Sequence, residues 1–450
     1  MKKSRLLCLS ILGVLCVTGC SKNQNDNSSA KADDTFNLIN PEETSQLTEN
    51  CKAYVDAMRA QEEENGEENK YMMDGYAFKP TDAVKIDAKN TDDGTWVYRD
   101  QVDYTDEEKR VEQQSQKSDK SKGVALQFSV KEGFEAESYK IQVSKDENFA
   151  EDVIEVEATP NTEVKVKNLF QNTTYYWRVV AGDKQSQAEE FVTGDYPRWI
   201  DCEDMFNVRD AGGYMTSSGK RVKQGLIFRG GEITTKAFGG NGTMSSTKHQ
   251  FTGTPEAKAI FRDVMHIGNE LDLRRNSDLS ADGNYNRCYF AEKDDEGKDD
   301  IIWTNVQLDS WETFLTKYDN IKACFEAFAH ADEKPVYYHC HGGADRTGTL
   351  GFFLLGALGV SYSDIVIDYE LTSYSSIIAK DANTPADSLR RHYARGSYDR
   401  WNEFIPNSVE KINGWDKSKT LQENIVKFLV NVAGVPKATI ERFQSIMLED

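Results

Sequence analysis

The sequence predicts a multi-domain chain: an α/β domain with a largely parallel central sheet flanked by helices, preceded by an all-β sandwich. Three observations carry this expectation. The 450 residues exceed what one ordinary core takes up. Between about residues 90 and 195, short alternating segments recur roughly every ten residues between turn signals. From about residue 200 onward, strand and helix patterns take turns, the rhythm of an α/β layer.

In chain order, the first 20 residues read as processing information. Lys2, Lys3 and Arg5 make a basic start, and Leu6 to Val17 is an apolar run of 12 residues. A bilayer span needs roughly 20. The run ends Val17-Thr18-Gly19-Cys20, which resembles a bacterial lipobox. That resemblance implies cleavage before Cys20, a lipid on Cys20, and an extracytoplasmic protein anchored to the membrane of a bacterial cell envelope. Cleavage without lipidation and an uncleaved anchor are the alternatives. Ser21 to about Asp34 is Asn, Ser, Lys and Asp with almost nothing apolar, as a solvated tether should be. Through residue 85 the pattern decides little. Thr44 to Arg59 has helical character, and Glu62 to Lys70 reads as an acidic, solvated surface or loop.

Residues 86–196 make the expected sandwich, with strands at Val124–Val130, Tyr139–Val143, Val153–Val156, Val164–Val166, Tyr175–Val180 and Glu190–Val192. Leu169 and Tyr175, six residues apart and followed by Tyr176-Trp177-Arg178-Val179, resemble the corner of a fibronectin type III domain. The segment from Tyr139 resembles a C-strand of that family. Any other small sandwich is the alternative. No residue in this stretch carries visible chemistry, so spacing or docking is the role expected of it.

Residues 197–450 make the α/β domain. A helix is expected over Pro255–Met265, strands over Glu270–Leu273, Ile301–Leu308 and Val336–Cys340, a helix from about Trp311 to His330, and an apolar helix near Thr347–Leu358. The decisive segment is Val336-Tyr337-Tyr338-His339-Cys340-His341-Gly342-Gly343-Ala344-Asp345-Arg346-Thr347-Gly348. A buried strand delivers Cys340 onto a short loop that opens into a helix. Loop N–H groups from His341, Gly342, Gly343 and Ala344 can turn inward on a phosphate, glycines let the backbone approach its oxygens, and the helix N-terminus adds partial positive charge. Arg346, six residues after Cys340, can return its planar fork over the same pocket and bind two oxygens. The same surroundings favour a thiolate. Cys340 would then attack phosphorus, with Arg346 and the loop amides stabilising the equatorial oxygens and Thr347 hydrogen-bonding the sulfur. This chemistry calls for no cofactor and no metal.

The loop reads H-C-x5-R-T and resembles that of the cysteine-dependent tyrosine phosphatase superfamily. Ahead of it stand Phe206 to Tyr214, Leu226 to Gly231 and Leu271 to Arg274. Behind it stand Asp368-Tyr369 and Lys437-Ala438-Thr439-Ile440. The set is similar to a bacterial branch of tyrosine and dual-specificity phosphatases whose loop reads HCxxGKDRTG, over roughly residues 200–450. The resemblance implies a phosphorylated protein, phosphoinositide or inositol phosphate as substrate. Ala344 stands where that branch has Lys, removing a cation from the loop rim.

Three carboxylates compete to protonate the leaving oxygen. Asp309 lies about 30 residues before Cys340, where the superfamily often has its acid, and is otherwise a helix N-cap. Asp345 is otherwise a loop brace, and Asp272 an arginine partner. His339 is expected as a buried hydrogen-bonding residue behind the nucleophile, and His341 as a neighbour that tunes the thiolate. Arg274, Arg275, Arg390 and Arg391 either line a cleft or are simply solvated. Cys324 is expected to be a buried helix residue.

Composition limits the alternatives. A net charge of -21 excludes a protein that coats nucleic acid. Of eight cysteines, five follow Cys20, and their odd number leaves at least one thiol outside any intrachain disulfide. A phosphate-binding protein without catalysis, and an adhesion protein built on the sandwich, are the readings from other classes.

Overall fold

The computed structural model describes residues 34–65, 121–202, 205–233, 254–275, 287–308, 316–340, 342–374 and 418–449, with isolated short stretches elsewhere. The chain divides into two compact units, Met1–Gln46 with Ser121–Tyr196 and Leu47–Lys120 with Pro197–Asp450.

The first unit is two facing sheets. One contains β1 (Phe36–Ile39), β2 (Val124–Val130) and β5 (Val164–Val166). The other contains β3 (Tyr139–Ser144), β4 (Ile154–Ala158), β6 (Thr174–Ala181) and β7 (Glu189–Val192), with β6 between β3 and β7. Alternation sets the faces. Tyr175, Trp177, Val179 and Ala181 of β6 meet Val124, Leu126 and Phe128 of β2 in one apolar core. The hydroxyl of Tyr175 accepts the Phe170 N–H at 2.9 Å, pinning the turn into β6. β1 comes from a stretch whose pattern predicted no element. Its Phe36 and Leu38 face the same core, which is why so short a strand pairs there. The apolar run near the start pairs as two strands, Leu6–Leu9 and Leu15–Thr18, the first parallel to β4.

The second unit is built on the five-stranded sheet β8 (Arg209–Asp210), β9 (Ile227–Gly230), β12 (Val336–His339), β10 (Asn269–Asp272) and β11 (Ile302–Asn305), in that spatial order. The last four run parallel and β8 is antiparallel. Register puts His339 beside both Gly230 and Asp272, so three strands end level at one edge. In open α/β sheets that carboxyl edge is where ligands bind.

The helices follow from apolar spacing. α1 (Glu49–Asn65) buries Cys51, Tyr54, Val55 and Met58, one stripe at helical period. It packs on α4 (Tyr362–Glu370) and starts later than the Thr44–Arg59 pattern suggests, continuing into the acidic run. α2 (Tyr318–Phe328) buries Ile321, Cys324, Phe325 and Phe328. α3 (Asp345–Leu358) is buried along nearly its whole length and ends on Gly359 at φ 84°, the left-handed cap that glycine tolerates best. α5 (Leu421–Asn431) begins with a Thr420–Glu423 capping box, and α6 (Lys437–Met447) closes the chain. The expected helix over Pro255–Met265 is α-helical only to Ala259 and continues as a π turn over Ile260–Val264.

Candidate active site

Cys340 follows β12 directly and is 3% exposed; α3 begins five residues later, at Asp345. Between them the loop is gripped from three sides. The Asn207 amide donates to the carbonyls of Gly342 and Gly343, each at 3.0 Å. The Arg229 guanidinium donates to the Gly343 carbonyl at 2.8 Å. Gly343 has φ +64°, and a Cβ there would lie 2.4 Å from the Gly230 backbone, so only glycine lets the loop meet the end of β9. These contacts fix the carbonyls of Gly342 and Gly343.

Those clamps are themselves held by buried charge. Asp368, on α4, pairs with Arg229, and its main-chain carbonyl accepts from Arg209 at 2.7 Å. Arg209 in turn donates to the Asn207 side chain. Burial, with Arg229 as neighbour, lowers Arg209 to about 10, so it remains a cation at neutral pH. Tyr369 donates to the Asp345 carboxylate at 3.3 Å. A Cβ on Gly348 would collide with the Tyr369 ring at 2.3 Å, which fixes how closely α4 lies against α3.

The surroundings of Cys340 act on its charge. Burial alone would raise the Cys340 thiol. Arg346, the Thr347 hydroxyl and the Thr347 N–H outweigh it, and the net shift is downward. That hydroxyl makes no hydrogen bond to any nitrogen or oxygen among the described residues. Cys324 shows what burial does without such neighbours: its thiol is pushed up to about 12. Arg346 is 9% exposed and donates to the Leu273 carbonyl at 3.3 Å, which keeps it beside the loop.

Of the three candidate acids, Asp345 and Asp272 are described and Asp309 lies outside the described residues, as do His341 and Cys20. Asp345 is partly exposed at the head of α3. Asp272 is fully buried, with one oxygen 2.9 Å from Arg274 Nε and the other 2.6 Å from Arg274 Nη2. Burial would raise that carboxyl, but Arg274 and His339 hold it below the ordinary carboxylate range. Arg274 neither lines a cleft nor meets solvent. Its remaining nitrogen donates to Glu232 at 3.0 Å, so the fork is spent on two buried carboxylates. The side chains of Arg390 and Arg391 lie outside the described residues.

Asn207, Arg229, Asp368 and Tyr369 belong to the segments that carry the family resemblance, but nothing in the sequence marks their hold on the loop and on α3. Glu270 left no signal at all. It faces His339 at 2.8 Å from the neighbouring strand.

No curated protein matches the chain. A family model described as the tyrosine phosphatase family matches residues 200–449, more than half of the chain and the whole of the site described above. The chain belongs to the tyrosine phosphatase family.

Proposed function

We propose that the protein hydrolyses phosphate monoesters, foremost phosphotyrosine or doubly specific sites on proteins, through a phosphocysteine on Cys340. The observation that carries this is the clamped loop that joins Cys340, at the end of β12, to the head of α3, with Arg346 in the first turn of that helix beside a thiol shifted downward. Cys340 sulfur attacks phosphorus as the bond to the leaving oxygen breaks. Arg346 and the N–H groups of the loop from His341 to Ala344 hold the equatorial oxygens. Asp345 gives its proton to the leaving oxygen. Water then displaces the sulfur and returns a proton to Asp345. Asp272 is unsuited to that role because Arg274 binds both its oxygens. Asp309 is the rival to Asp345.

Inositol polyphosphate or phosphoinositide hydrolysis is the second reading. Ala344, in place of a rim Lys, speaks for substrates with a single phosphate group instead. We assign the sandwich to a fibronectin type III-like spacing or docking role, and Cys20 to lipid attachment at the cell envelope. Processing there would remove the strands Leu6–Leu9 and Leu15–Thr18 and expose the edge of β4.

The test is phosphate release by the full-length chain and by Cys340→Ser, with phosphotyrosine peptide, phosphoinositide and phytate offered separately in EDTA. The expected result is turnover by the wild type, fastest on the peptide, and at least a thousandfold loss in the variant, the order seen for nucleophile removal. Equal turnover by both proteins would refute the nucleophile. No turnover on any substrate under reducing conditions would leave phosphate binding as the function.

A further inference from the structure

Behind the loop lies a buried cluster that the reaction above does not use. His339 is fully buried between two partners. Its Nε2 is 2.8 Å from Glu270 Oε1 and its Nδ1 is 3.1 Å from the main-chain oxygen of Cys340. A carbonyl can only accept, so Nδ1 must carry a proton. An ionised Glu270 also only accepts, so Nε2 must carry one as well.

We infer that Glu270 is a positioning residue: its carboxylate keeps His339 doubly protonated, and the Nδ1–H so guaranteed holds the Cys340 carbonyl at the strand-to-loop junction. The inference rests on the proposed role of Cys340. The groups facing the pair support the charged form. Asp272, at the end of β10, reinforces Glu270 in favouring a protonated ring despite burial. Arg274 opposes the protonated ring, but it is itself paired with Asp272 and Glu232. The Cys288 thiol donates to Glu270, and its own ionisation is pushed well up by burial and by that carboxylate. Tyr337 stacks on the imidazole at 5.3 Å, while its hydroxyl is turned away to the Gly231 carbonyl. Cys340, when ionised, adds a further negative neighbour. Ligand atoms of Glu270, Asp272 and His339 lie within 4.8 Å of one another. Arg274 already occupies both oxygens of Asp272, and the imidazolium is the second cation set among the three buried carboxylates Glu232, Glu270 and Asp272.

Without the carboxylate, a neutral imidazole can place its single proton on Nε2, leaving the Nδ1 lone pair against the Cys340 carbonyl. The loop junction then becomes pH-sensitive where the wild type is not. The experiment is the ring-nitrogen NMR spectrum of the full-length chain labelled with ¹⁵N-histidine, recorded beside Glu270→Gln between about pH 5.5 and 8, with kcat and KM measured over the same range. These pH limits bracket the ordinary histidine value of about 6.5. In the wild type, the histidine signal that Glu270→Gln alters should show both ring nitrogens protonated throughout. In the variant it should titrate, and kcat should fall about five- to tenfold as pH rises, the loss expected for about one hydrogen bond. KM should stay within about twofold, and acidification should restore kcat. A wild-type His339 with a bare ring nitrogen overturns the inference, as does a variant whose pH profile superimposes on the wild type. If Glu270→Gln does not fold, the wild-type spectrum decides alone, its His339 signal assigned with His339→Asn. Turnover surviving in Cys340→Ser would defeat the nucleophile reading instead, while the His339 spectrum would still be judged on its own.

Discussion

Both units bury an apolar core, but the α/β unit adds a set of fully buried charges. The sandwich core is hydrocarbon and aromatic ring: Trp177, Phe128, Leu126, Ile141 and Val179 are all fully buried. In the α/β unit, Arg209, Arg229, Arg274, Glu232, Glu270, Asp272 and His339 are equally buried. Burying charge is costly, and well-packed apolar residues often stabilise a fold as well or better. The charged residues are not scattered. Each grips the Cys340 loop, holds a group that does, or braces the strand ends beneath it. The difference teaches that one interior is arranged for stability alone, while the other sets charges into its apolar core that place a few main-chain atoms.

The comparison can be broken from either side. On the charged side, Asp368→Ala leaves Arg209 and Arg229 buried without their shared carboxylate. Removing one partner of a buried pair costs about 3–5 kcal/mol. Phosphatase activity should vanish along with that stability, measured by denaturant unfolding and by turnover. On the apolar side, Trp177→Ala removes the largest buried ring of the sandwich and should destabilise that unit by about 3–5 kcal/mol. Turnover of a small aryl phosphate should stay within about twofold, because the sandwich holds no reacting group. If Trp177→Ala stops turnover while Asp368→Ala spares it, the division of labour is wrong.

The same contrast explains what could be read from sequence. Alternation marks an apolar strand, so most sandwich strands are legible, and β6 announces itself through Tyr175, Trp177 and Val179. β1 escapes because four residues give no period to read. In the α/β unit the strand, the cysteine loop and the apolar helix are legible because local rules govern each of them. The clamps are not. Asn207 lies 135 residues from Gly342, and Arg229 lies 139 residues from Asp368. Nothing local in a polar side chain says which distant partner will satisfy it once buried. Arg274 shows the error this invites. An arginine near a phosphate site suggests a ligand contact, yet here its donors are consumed by Asp272 and Glu232. Glu270 is harder still, since a carboxylate within a buried strand reads as a solvated residue until His339 is placed beside it.

The finest test of the charged interior concerns Thr347. Valine matches its shape and removes only the hydroxyl, so Thr347→Val should leave the fold intact. The wild-type hydroxyl favours the Cys340 thiolate, and without it the thiol should rise back toward its ordinary value. The sign follows from the lowered thiol. A group whose pKa is depressed by folding adds stability above its unfolded value and loses it as pH falls through the folded one. In Thr347→Val that window narrows from below, so the acid limb of kcat/KM should move to higher pH. Alkylation of Cys340 by iodoacetate, followed against pH, should move by the same amount. If both midpoints stay where the wild type has them, Arg346 and the main-chain N–H alone set the thiolate, and the buried hydroxyl is packing of the kind that fills the sandwich.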